Sequence, residues 1–198
     1  SRTFVGALIA AVLLVGWPGD VQAQEQHRLR GDRVGVFNLA GEVEIVPGSG
    51  SEVVVEVTRG GDDGARLEVA MEEVEGIQAL IVRYPSDKVV YGRMGRGSKT
   101  NTRVQGNGTF FGDWGWGRGD QVEVAGSGNG LEAWADLRIS VPRGQDFSLY
   151  LLVGETAMRD IEGSVLIDTG SGKVTAEAGS GRLSIDTGSG QIVVDGFE

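Results

Sequence analysis

From residue 163 onward the chain is a run of nonapeptides, and few backbones accommodate such a pattern. The units are GSVLIDTGS at 163–171, GKVTAEAGS at 172–180, GRLSIDTGS at 181–189 and GQIVVDGFE at 190–198. The unit before them, GETAMRDIE at 154–162, keeps the glycine and the spacing. The third column reads Val165, Val174, Leu183 and Ile192, and the fifth reads Ile167, Ala176, Ile185 and Val194. Positions two apart share one face of a strand, so these columns define an apolar side. Polar or acidic residues such as Thr175, Ser184, Asp168 and Asp186 alternate with them. Gly-Ser-Gly then supplies a turn in which a positive φ carries no steric cost.

A longer period lies over the short one. The hexapeptide Ile-Asp-Thr-Gly-Ser-Gly stands at 167–172 and again at 185–190, 18 residues on. Alternate units therefore match better than neighbours, which predicts coils of about 18 residues stacked at the ~4.8 Å spacing of adjacent strands. GEVEIVPGS at 41–49 repeats the pattern far upstream, and strand-like stretches occupy 52–58, 65–69, 79–84 and 135–141. The expected fold is all-β: a single-stranded parallel β-helix or solenoid with Gly-Ser-Gly turns, one domain over 34–198. The last unit carries no cap, so the solenoid is expected either to continue beyond Glu198 or to pair end to end with another chain.

The first 23 residues read as a signal peptide. Arg2 is a positive n-region, Phe4 to Trp17 is almost continuously apolar, and Val21-Gln22-Ala23 offers small residues for cleavage. That run is short of the ~20 residues a membrane span needs. Residues 24–33, which include the single histidine, His27, read as a solvated linker. The expected location is extracytoplasmic: periplasm, cell surface or secreted. There is no cysteine, which excludes disulfides, thiol catalysis and zinc–thiolate sites. A net charge of −10 argues against nucleic acid or anionic lipid as partner. No cofactor and no metal are expected.

Leu137-Arg-Ile-Ser-Val-Pro142-Arg-Gly, followed by the glycine-punctuated strand array, resembles a bacterial adhesin-like family of extracytoplasmic β-strand-repeat domains. The resemblance covers 34–85 and 131–198. It implies a single-stranded parallel β-helix and an adhesive or envelope-associated role, with no catalytic motif to carry over.

Residues 86–128 depart from the repeat. Six basic side chains face three acidic ones between 86 and 120, and aromatics are interleaved with glycine. Asn107-Gly108 is a hairpin signal, so 102–111 reads as a projecting hairpin. Arg103, Phe110, Phe111, Trp114, Trp116 and Arg118 form the candidate binding set, because ring faces stack on sugars and guanidinium groups pair with carboxylates. The bland alternative is a mobile loop, or a flap that covers part of the repeat with its rings.

Sharper motifs are weaker. Asp168-Thr169-Gly170 and Asp186-Thr187-Gly188 spell an aspartic-protease tripeptide, but they coincide with the repeat's turn, and 18 residues cannot hold a lobe. The acidic residues do not occupy the positions of calcium-binding nonapeptides. Arg30-Gly31-Asp32 and Arg118-Gly119-Asp120 spell an integrin-recognition tripeptide, although glycine beside charge is ordinary loop chemistry. Asn107-Gly108-Thr109 is a glycosylation sequon only in a eukaryotic secretory pathway. The favoured function is a non-catalytic, adhesin-like binding or scaffold protein whose partner is a cell-surface glycan or envelope component. The alternative is a polysaccharide-active β-helix lyase or hydrolase using loop carboxylates, for which Asp62, Asp63, Asp113 and Asp120 are available.

Overall fold

The computed structural model describes residues 24–110 and 119–198; the leader expected at 1–23 lies outside them. In chain order the strands are β1 Gln24–Leu29, β2 Arg33–Ala40, β3 Val43–Gly48, β4 Val53–Gly60, β5 Glu68–Val74 and β6 Ile77–Arg83. There follow β7 Lys88–Val90, β8 Lys99–Val104, β9 Asp120–Ala125, β10 Leu131–Glu132 and β11 Trp134–Pro142. β12 Asp146–Val153, β13 Thr156–Ser171, β14 Val174–Ser189 and β15 Ile192–Phe197 complete the set.

The periodicity reappears as register. β13 pairs in parallel with β14 from Thr156↔Val174 to Ser171↔Ser189, and β14 pairs with β15 from Val174↔Ile192 to Gly179↔Phe197. Each pairing joins residues 18 apart. The upstream nonapeptide joins the same ladder, with Val43 opposite Thr156 and Ile45 opposite Met158. Glycine is required at the corner because Gly41, Gly154, Gly172 and Gly190 stack on one another at φ of +143° to +154°. A Cβ on Gly172 would lie 2.6 Å from the Gly154 carbonyl carbon, and nearer still to its oxygen. The Gly172 N–H in turn donates to Ser189 O at 2.9 Å.

The fold as a whole is nevertheless not a single-stranded parallel β-helix. Eleven strands form one mixed sheet, ordered β1-β4-β11-β3-β13-β12-β2-β6-β5, with β14 and β15 continuing from β13. β1–β4, β4–β11 and β5–β6 pair antiparallel. The sheet curls into a nearly closed barrel, in which the Arg30 N–H meets the side chain of Gln78 across the gap between β1 and β6. Local turns explain the departure. Val74 faces Ile77 across Glu75 and Gly76, both with positive φ (50° and 78°), a two-residue turn that forces its strands antiparallel. Nor is 24–33 only a linker, since β1 is hydrogen-bonded along Val53 to Thr58.

Alternation along β4 and β11 buries Val53, Val55, Val57, Leu137, Ile139 and Val141 inside the barrel and leaves Glu56, Thr58 and Arg138 outward. β2 and β12 are buried on both faces instead. Val34, Val36, Leu149 and Leu151 point into the barrel, while Phe37, Leu39, Tyr150 and Leu152 point away from it into a second core. Such doubly buried strands read as continuous apolar runs.

A second sheet, ordered β10-β7-β9-β8, covers that outer face. Val89, Tyr91, Val122, Val124 and Phe110 close over Phe37, Tyr150 and Leu152. The described part of the segment, Tyr91 and Phe110 included, therefore packs as the flap that stood as the alternative, where projection was expected. Among the described residues, the expected 102–111 hairpin does not form through 110: β8 pairs antiparallel with β9, Arg103 opposite Gln121. Asn107 and Gly108 make only a tight turn, closed by Gly108 N to Gln105 O at 2.8 Å.

Candidate functional site

The expected binding set is divided by the fold. Phe110 is 0% exposed and meets Phe37 edge-on, with ring centroids 6.0 Å apart. Phe37 in turn stacks on Tyr150 at 4.4 Å, so Phe110 presents no ring face to solvent. Arg103 is exposed and donates to Gly119 O at 3.1 Å. Phe111, Trp114, Trp116 and Arg118 lie outside the described residues.

What the fold does assemble is a polar groove on the outward face of β4, β11, β3, β13 and β14. Parallel and antiparallel register place Glu56, Arg138, Glu44 and Ala157 in one row across four strands. Arg138 and Arg159 both pair with Glu44. The cavity there holds about 480 Å³ and is lined by Glu42, Glu44, Glu56, Asp136, Glu155, Arg138 and Lys173 among others. A smaller cavity of about 190 Å³ adjoins it, sharing Glu42, Glu155 and Lys173 and reaching Tyr91, Arg93 and Met94 of the outer sheet's first connection. Lys173 follows Gly172 of the glycine column, so the corner that fixes the register also sets this cation at the groove's rim.

Arg93 is the hinge of this arrangement. It lies 3.1 Å from carboxylate oxygens of both Glu42 and Asp136, and 5.3 Å from the centroid of the Trp134 ring. Partial burial works against its charge, but Asp136 and Glu42 offset that and hold its pKa above the ordinary arginine value. Burial pushes the Tyr91 phenol up to about 12; Arg93 opposes the shift and Asp136 and Glu42 reinforce it. Deeper in, the Tyr84 hydroxyl sits 2.8 Å from Asn38 Oδ1 and 2.9 Å from Ala40 O, and burial raises its pKa strongly. Asn38 Nδ2 donates to Ala135 O at 2.7 Å, tying β2 to the start of β11.

The other motifs resolve into structure. Asp168 and Asp186 occupy neighbouring strands in direct register on the outward face. Arg30-Gly31-Asp32 forms the exposed connection from β1 to β2, with Arg30 paired to Glu52 and Gln145 Nε2 bonded to Gly31 O and Asp32 O. Asp63 accepts from Glu132 N at 3.1 Å and pairs with Arg66, both local tethers. Among the described residues, no group of three or more His, Asp or Glu is arranged to hold a metal ion, and no helix is long and apolar enough to cross a membrane. The groove escaped sequence reading because its acids come from segments about 90 residues apart, joined only by register. One signal was available: Glu42 and Glu44 alternate with Val43 and Ile45, and Asp136 and Arg138 alternate with Leu137 and Ile139.

No family model and no curated protein matches the chain. A similar solved structure is that of a putative cell adhesion protein from Clostridium sporogenes, 10% identical, with a TM-score of 0.38 over 89% of this chain and 100% of that one.

Proposed function

We propose that this protein is a non-catalytic, extracytoplasmic binding or scaffold protein that takes an envelope glycan or similar polar component in the groove over β4, β11, β3, β13 and β14. The observation that carries the reading is the groove itself, about 480 Å³ of carboxylates interspersed with Arg138 and Lys173 on a two-layered β support. Carboxylates accept hydrogen bonds from sugar hydroxyls and amines, and lysine and arginine donate them. The predominance of acids in the groove, with a net charge of −10 for the chain, favours neutral or amino sugars over polyanions. The leader-like run from Phe4 to Trp17 supports export.

The test is a glycan array spanning neutral, amino-sugar and uronic-acid polymers, run with the unaltered protein and with Lys173→Ala and Glu155→Gln. Binding to neutral or amino sugars that weakens about tenfold in either variant supports the groove. A preference for polyanions, or binding untouched by both substitutions, overturns it. New reducing ends or unsaturated products released from any bound polymer overturn the non-catalytic part.

A further inference from the structure

We infer that the smaller cavity beside the groove is a subsite for a zwitterionic group, the free ammonium-and-carboxylate end of an amino acid or short peptide carried by the glycan. This rests on the groove being the glycan's site. The corner of the ladder supplies the two poles. Glu42, Glu155 and Lys173 each follow a glycine of the stacked column, and the residues after them, Val43, Thr156 and Val174, are buried in register with one another. The three charged side chains therefore leave the outward face side by side, one strand spacing (~4.8 Å) apart. Val43 N donates to Glu155 O and Thr156 N to Lys173 O, both at 2.9 Å, which fixes the backbone beneath them.

The three are not equally engaged. Arg93 already neutralises Glu42, at 3.1 Å. Glu155 and Lys173 are exposed, and among the described residues neither is held by an ion pair or a side-chain hydrogen bond. An unengaged carboxylate thus stands next to an unengaged ammonium. A cation alone would satisfy only Glu155, and an anion alone only Lys173. A zwitterion satisfies both, its ammonium on the carboxylate and its carboxylate on the ammonium.

The cavity suits an appendage of a larger ligand. Its volume of about 190 Å³ falls below the ~300–1,000 Å³ that encloses a complete small molecule, and it shares Glu42, Glu155 and Lys173 with the groove. Met94 and Val153 line it, an apolar wall for the alkyl part of the group. Its charges balance, Glu42 and Glu155 against Arg93 and Lys173, whereas acids predominate in the groove.

Calorimetric titration of the unaltered protein compares a chitin tetrasaccharide with the same oligomer coupled to the side-chain amine of lysine, whose α-ammonium and α-carboxylate stay free. The conjugate should bind ~10-fold tighter. Acetylating the ammonium, or amidating the carboxylate, should each abolish the gain. The gain should also vanish in Lys173→Ala and in Glu155→Gln. It is read there as the ratio of the two dissociation constants, so that any loss of plain-glycan binding cancels. A plain tetrasaccharide that binds as tightly as the conjugate overturns the subsite and leaves the groove standing. Binding of neither overturns both. A gain that survives both blocked forms of the lysine, or both substitutions, also overturns the subsite.

Discussion

Arg93 stacks over the ring of Trp134 at 5.3 Å while both Glu42 and Asp136 hold its guanidinium at 3.1 Å. One side chain from the outer sheet's connection thereby clasps the barrel at β11 and at the turn before β3. Trp134 is fixed from the other side, since a Cβ on Gly60 would lie 2.8 Å from its Cζ2. Arg93→Ala should cost ~1–2 kcal/mol in urea unfolding, most of it from the cation–π contact because exposed ion pairs contribute little. Arg93→Lys should recover only part of that, as a point charge cannot bridge two carboxylates and lie flat on a ring. An alanine variant as stable as the parent would show that the clasp is not a stabilising element.

The glycine column gives a sharper contrast. Gly172→Ala meets both a φ of +143° and the Gly154 carbonyl, whereas Gly50 has a φ of +92° with nothing within 4 Å of an added Cβ. Gly172→Ala should lose ~3 kcal/mol or more, and Gly50→Ala ~1 kcal/mol. Similar losses at the two sites would mean that backbone overlap is not what selects glycine at the corner.

Three residues spaced by the long period share a left-handed backbone. Asp160, Ala178 and Gly196 have φ of 54°, 48° and 64°, and each is skipped by the ladder on either side. This is a left-handed bend repeated from strand to strand in register, and of its three occupants alanine suits it least. Ala178→Gly should stabilise the fold by ~0.5–1 kcal/mol, the relief of a left-handed Cβ less the added freedom of the unfolded chain. Asp160→Gly should gain less, because aspartate tolerates this conformation. Thermal unfolding of the two variants, ranked in that order, checks the bend.

Alkaline pH should loosen the protein through its tyrosines. Tyr84 and Tyr91 both carry phenols raised above the ordinary value near 10, Tyr91 to about 12. A raised folded pKa means the unfolded chain releases its proton first. Their contribution is therefore whole below about pH 10 and is lost as pH climbs from there through the folded values. Urea midpoints measured from pH 9 to 12 should fall, and Tyr91→Phe should flatten the decline. A midpoint independent of pH in that window would contradict the burial of both phenols.

The repeat units carried their own register into the structure: the 18-residue spacing at 167–172 and 185–190 became the β13–β14 ladder. Extending that rule upstream failed because pairing there is chosen by turns and by partners far along the chain. Glu75-Gly76 makes a hairpin by two backbone angles, and β3 finds β11 and β13 some hundred residues away. The flap, which stood only as the alternative, could have been preferred from 34–40 and 147–153. Two runs broken only by Asn38 and Ser148 cannot both face solvent on one side, so something had to cover Phe37 and Tyr150. The aromatics of 86–128 were the available cover, and Phe110 supplies it. The groove was less legible, since no local pattern announces that Glu56, Arg138 and Glu44 will stand in one row.

The interleaving of early and late strands sets a timetable for the chain. β2 lies between β6 and β12, and β3 lies between β11 and β13, so neither has both neighbours until residues near 160 exist. Pairings of such long sequence separation delay the main barrier crossing. β1 and β4 can pair early, but β2 waits with one open edge and β3 with two while the remainder is made, and the molecule becomes resistant to proteolysis late and all at once.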